Sequence, residues 1–183
     1  MIRALLISLS CLLIGCSSRL SNEEKLSYQL IENYSKELKK KDNFDLIGTG
    51  MGGNGNGKIA TMGMYFDVNK ALDINDARKL FLAMVQNFIS KVNSDSKYSF
   101  IENYPININS VRFKIRFVDK QHHPLSSKCV GLVFNVGDQI IYKVWDDWMA
   151  NPEYKVVFHE TYDQALVALK EGTSYQDYLS NPR

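Results

Sequence analysis

Any chemistry in this chain has to come from the few places where reactive side chains cluster. Trp145-Asp146-Asp147-Trp148 sets two carboxylates between two indoles, with Tyr142 and Tyr154 nearby. Aromatic faces beside carboxylates suit a sugar platform, and paired acids suit glycoside hydrolysis. Neighbouring residues on a strand point to opposite sides, so both acids reach one sugar only across a turn. Packing of the tryptophans on the core is the simpler expectation. His159-Glu160 opens like a zinc-protease motif, but Asp163 stands where its second histidine belongs. His122-His123-Pro124, with Asp119 close by, falls in a loop and reads as polar surface. Cys129 lies in an apolar run with no basic partner and no CxxC pair, and is expected in the core. No catalytic residue, metal ligand or cofactor site is assigned.

The sharpest change in composition is Gly48 to Lys58, which contains Gly50, Gly53 and Gly55. Gly48, Gly50 and Gly53 match the dinucleotide-binding spacing, and Gly57-Lys58 approaches a P-loop. Both motifs require a helix to begin at the glycines, so that its N-terminal amides meet phosphate. Here Ala60, Met62, Met64, Phe66 and Val68 alternate with the residues between them, which specifies a strand. The stretch is therefore expected to be a mobile hairpin loop rather than a nucleotide cradle. If it binds anything, an anion or an extended peptide fits better than ATP.

A second candidate surface is the strand Val111 to Phe117, where Arg112, Lys114 and Arg116 share one face. That face is a soluble outer face or a protected edge in the plain interpretation and a small anion-binding stripe in the sharper one. Arg112, Lys114, Arg116, Gly50, Gly53, Gly55 and Trp145 to Trp148 together make up the candidate ligand surface.

The positioning elements follow from periodicity and capping. Ser21-Asn22-Glu23-Glu24 has the form of a capping box, and Leu26, Leu30, Ile31, Tyr34 and Leu38 form the apolar stripe of an amphipathic helix. Asp73 caps a second helix carrying Ala77, Leu80, Phe81, Met84, Val85, Phe88 and Val92 on one face. Val130 to Val136 and Gln139 to Trp145 make a hairpin around Gly137-Asp138, and Tyr154 to Phe158 adds a further strand. Thr161-Tyr162-Asp163-Gln164 opens a last helix, which Gly172 stops, and Ser174 to Leu179 allows one more turn. These elements predict an α+β fold. It is a mainly antiparallel sheet of about six strands, with two helices packed on one face and an N-terminal amphipathic helix.

The chain of 183 residues balances 22 basic against 20 acidic side chains and has no polybasic tail, so nucleic acid is not an expected partner. Its 45% hydrophobic content is that of a folded domain. Arg3 followed by an apolar run from Ala4 to Leu13 makes a secretion signal too short to span a bilayer. With Leu13-Ile14-Gly15-Cys16 as a lipobox, the start of the chain resembles a bacterial lipoprotein precursor. That resemblance implies cleavage before Cys16, lipid on its sulfur, and sorting to the outer rather than the inner membrane, since Ser17 and not aspartate follows. The organisation expected is residues 1–15 as signal peptide, 16–21 as lipidated tether and 22–183 as one domain. The lipobox, the glycine stretch, Asn103-Tyr104-Pro105 and Glu160-Thr161-Tyr162-Asp163-Gln164-Ala165 also resemble a group of small lipoproteins of intracellular bacteria, which carries no activity with it. The expected protein is a non-enzymatic envelope lipoprotein that meets a protein partner. Glycan or peptidoglycan binding through Trp145-Asp146-Asp147-Trp148 is the alternative.

Overall fold

The structure is a computed structural model that describes residues 20–55, 58–126, 128–146 and 153–173. Residues 1–19 with Cys16 and most of the tether, Asp147, Trp148 and the predicted turn after Ser174 lie outside the described residues. Helix α1 spans Asn22–Asp42, followed by strands β1 (Phe44–Gly53) and β2 (Ile59–Val68), then helix α2 (Ile74–Asn93). Strands β3 (Val111–Phe117), β4 (Leu132–Val136), β5 (Gln139–Asp146) and β6 (Glu153–Thr161) precede helix α3 (Tyr162–Glu171). Among the described residues this is an α+β fold, with three α-helices and a six-stranded sheet in the order β1-β2-β3-β4-β5-β6. Every neighbouring pair is antiparallel except β2 and β3, which run parallel because α2 carries the chain back between them.

The ends of the helices obey the capping rules. The Ser21 hydroxyl accepts from Glu24 N–H at 3.1 Å while Ser21 N–H donates to Glu24 Oε2 at 2.7 Å. Thr161 and Gln164 repeat the exchange at α3, and Asp73 accepts from Asp76 N–H at α2. Asn43 and Gly172 end α1 and α3 in the left-handed conformation, with φ of 59° and 67°.

Alternation fixes the core. Met62, Met64, Phe66 and Val68 of β2 stand in register with Val111, Phe113, Ile115 and Phe117 of β3, and all eight are buried. Tyr34 of α1 meets Phe88 of α2 at 5.1 Å and Phe113 at 6.3 Å between ring centroids, and its hydroxyl donates to the Met84 carbonyl at 2.7 Å. Asn135 is the one inward polar side chain of β4 among the described residues; it accepts from Phe113 N–H and donates to the Val111 carbonyl. It thereby extends the ladder beyond Lys114, where backbone register between β3 and β4 stops.

Three expectations change. Gly48 to Gly53 is not loop but the second half of β1, paired with β2 as far as Gly53 opposite Ile59. The ladder offered by β2 outweighs the weak strand preference of glycine, and only residues 54–58 separate the two strands. Strand β3 is not an edge; β2 and β4 flank it, so its cations do not serve as edge protection. Cys129 lies half-buried in a turn before β4 rather than in a core strand.

Candidate functional site

Residues of β2 and β3 that do not enter the core point to the other face of the sheet. They are Gly63, Tyr65 and Asp67 on β2, in register with Arg112, Lys114 and Arg116 on β3. On β1, Gly50 pairs with Gly63 and Gly48 with Tyr65. Absence of side chains at Gly48, Gly50 and Gly63 leaves a shallow groove of about 260 Å³, bordered by Tyr65, Arg112 and Lys114. A Cβ built on Gly50 would meet no atom within 4 Å. The groove is thus real space in front of the sheet rather than a tight backbone contact.

The three cations of β3 have different fates. Arg116 makes a two-pronged bond to Asp67, from Nε to Oδ1 at 2.8 Å and from Nη2 to Oδ2 at 2.6 Å. Asp67 is only 2% exposed and is also 3.1 Å from His122 Nδ1. Burial pushes its carboxyl up, but the hydrogen bonds and charges of Arg116 and His122 outweigh that and hold it below the usual aspartate range. Arg116 is therefore neutralised by Asp67, although it shares its face with Arg112 and Lys114. Arg112 and Lys114 have no acidic partner among the described residues. Arg112 Nη1 is held by the carbonyls of Asn109 at 3.0 Å and Val111 at 2.8 Å. The Lys114 ammonium stands 4.2 Å from the centroid of the Tyr65 ring.

Further along the same face, Trp145 of β5 meets Tyr154 of β6 edge-on at 4.9 Å. Gly131 makes room for the Tyr154 ring and the β5 backbone, since a Cβ there would lie 2.9 Å from Tyr154 Cε1 and 3.2 Å from the Trp145 backbone nitrogen. Asp146 follows Trp145 on the strand and so faces away from it, where it pairs with Lys155. The described part of the Trp145 to Trp148 segment therefore does not offer an indole and a carboxylate to one ligand. Gly50 joins the cations at the groove. Gly53 ends β1, and Gly55 occupies the following turn with φ of 81°, so neither lines the groove.

Sequence reasoning missed two clusters. Asp67, Arg116 and His122 form one of them. In the other, Arg78 of α2 bonds Glu160 of β6 from Nε to Oε1 at 2.8 Å, and Tyr142 of β5 donates to the same oxygen at 2.7 Å. Both charged side chains are 2% exposed. Burial first, and the Glu160 charge second, push the Tyr142 hydroxyl far above its ordinary value, so it remains a donor. Glu160 is thus structural, and His159 beside it is exposed. The only sequence signals were a lone arginine within an apolar helix face and a lone acid at the end of a strand. His123 contacts Asp119 at 3.4 Å, yet no group of three or more metal-ligating side chains gathers among the described residues. No described helix is long and apolar enough to cross a membrane. Comparison of the chain with protein-family models, with curated proteins and with solved structures finds no match.

Proposed function

We propose that this protein is a non-enzymatic binding module, moored at the bacterial cell envelope by lipid on Cys16, that offers one face of its sheet to a protein partner. Amphipathic α1 is taken together with α2 and α3 as the cover of the opposite face. The contacts of Tyr34 with Phe113 and of Arg78 with Glu160 support that arrangement. One observation carries the reading: Arg112 and Lys114, without acidic partners among the described residues, border a groove on the uncovered face. No nucleophile, base and orienting acid come together there, so recognition explains the face better than catalysis does. Glycan binding keeps a foothold in the Trp145 and Tyr154 rings, but Asp146 turns away from them.

A photo-crosslinking residue at Val136, which is 56% exposed on the uncovered face, tests the reading against one at exposed Ala83 on α2. In intact cells a discrete protein adduct is expected from position 136 and not from 83. Equal adducts from both positions, or none from 136, overturn the partner-binding face. The anchor has its own check, because metabolic palmitate should label the parent and not the Cys16→Ser form. An unlabelled parent removes the envelope assignment.

A further inference from the structure

Resting on that reading, we infer that the groove between β1 and β3 receives a glutamate or aspartate side chain from an extended acidic segment of the partner, its carboxylate met by Arg112 and Lys114. Charge is the first argument. Two cations border the groove, no carboxylate lines it among the described residues, and neither cation is neutralised within the described fold. Arg112 is also preset, because two backbone carbonyls already fix its Nη1 and leave its remaining donors to a ligand.

Shape is the second argument. The floor is bare peptide at Gly48, Gly50 and Gly63, and β1 is the outermost strand of the sheet. A chain can therefore enter over the edge and lay the methylene stem of an acid on the glycines without displacing anything.

Chemistry decides between ligand classes. A sugar presents many hydroxyls that donate as well as accept, and the only side-chain acceptors in the groove lining are the hydroxyls of Thr49 and Tyr65. The peptide groups of Gly63 lie between β1 and β3, and those of β1 that face β2 are already paired, which leaves only the outer edge of β1 open. A sugar would leave most of its polar groups unsatisfied there, whereas a single carboxylate on an apolar stem would not.

The test uses the full chain in detergent micelles and the fluorescein-labelled peptide Gly-Glu-Gly-Glu-Gly-Glu, read by anisotropy. Its glutamine counterpart is the neutral control, and inorganic phosphate is the competing free oxyanion. Binding of the glutamate peptide is expected to weaken about tenfold in Lys114→Gln and in Gly50→Leu. It should not change in Lys143→Gln, whose ammonium lies over the Phe134 ring on the same face but outside the groove. Gly50→Leu fills the trough from a position where no atom stands in the way, and Lys114→Gln reads the same loss of binding should that variant fold poorly. Three results overturn the inference. They are equal affinity for glutamate and glutamine peptides or for neither, equal loss in Lys143→Gln and Lys114→Gln, and displacement by inorganic phosphate mole for mole. Adducts from position 136 that persist while the acidic peptide fails would remove this inference alone and leave the binding face standing.

Discussion

Arg78→Met is expected to lower the free energy of unfolding by about 3–5 kcal/mol, because it leaves Glu160 as a buried charge without its cation. In the parent, Arg78 Nε at 2.8 Å and the Tyr142 hydroxyl at 2.7 Å meet one carboxylate oxygen, Oε1, while the buried Oε2 has no hydrogen-bond partner among the described residues. Further Arg78 contacts to Asn75 Oδ1 at 3.2 Å and the Thr173 carbonyl at 3.4 Å spread the guanidinium over α2 and the end of α3. The informative measurement is a cycle in urea. Adding Glu160→Gln to Arg78→Met keeps an acceptor for Tyr142 and removes the orphaned charge, so the double variant should regain more than half of the loss. A single variant within about 1 kcal/mol of the parent would mean that water reaches the pair and relieves it, as at exposed ion pairs.

Asp67→Asn should cost about 2 kcal/mol at pH 7, since the amide keeps the shape but gives up the charge that both Arg116 and His122 use. The pH dependence has a definite sign. The native carboxyl is held below its ordinary value, so its contribution is complete above the unfolded pKa of about 4 and is lost as pH falls through the native one. Parent and variant should therefore differ most at neutral pH and converge toward pH 2 in denaturant or thermal melts. A gap that stays constant down to that acidity would show that packing rather than charge separates them. The same variant should loosen the turn at His122, which holds a φ of 63°. Its ring is tied to β2 only through Asp67 among the described contacts. Faster amide exchange from Lys120 to His123 is the corresponding local readout.

Local rules made much of this fold legible. Helix starts at Ser21, Asp73 and Thr161 can be read because a capping side chain and its target amide are only three residues apart. Alternation from Val111 to Phe117 and the turn at Gly137-Asp138 are equally local. What could not be read depends on separation. Asp67 finds Arg116 across 49 positions and Arg78 finds Glu160 across 82, and no spacing in one sequence announces either pair. Gly48 to Gly53 misled for the opposite reason. Glycine predicts freedom from its own chemistry, while the strand beside it decides whether that freedom is used. The candidate site was legible as residue types, since Arg112, Lys114 and Gly50 stood out as cations and glycines. Their convergence came only with the register that sets Gly50 against Gly63 and Gly63 against Arg112.

The single parallel seam also orders the making of the molecule. On one side β1 and β2 are separated by only residues 54–58, and on the other β3 to β6 run as successive neighbours. Joining the two halves requires the whole excursion through α2 and the turns after it, so the entropy of loop closure weighs most heavily on this step. Each half can form from nearby chain, and their union along Met62 to Val68 and Val111 to Phe117 is expected to be the slowest step of folding.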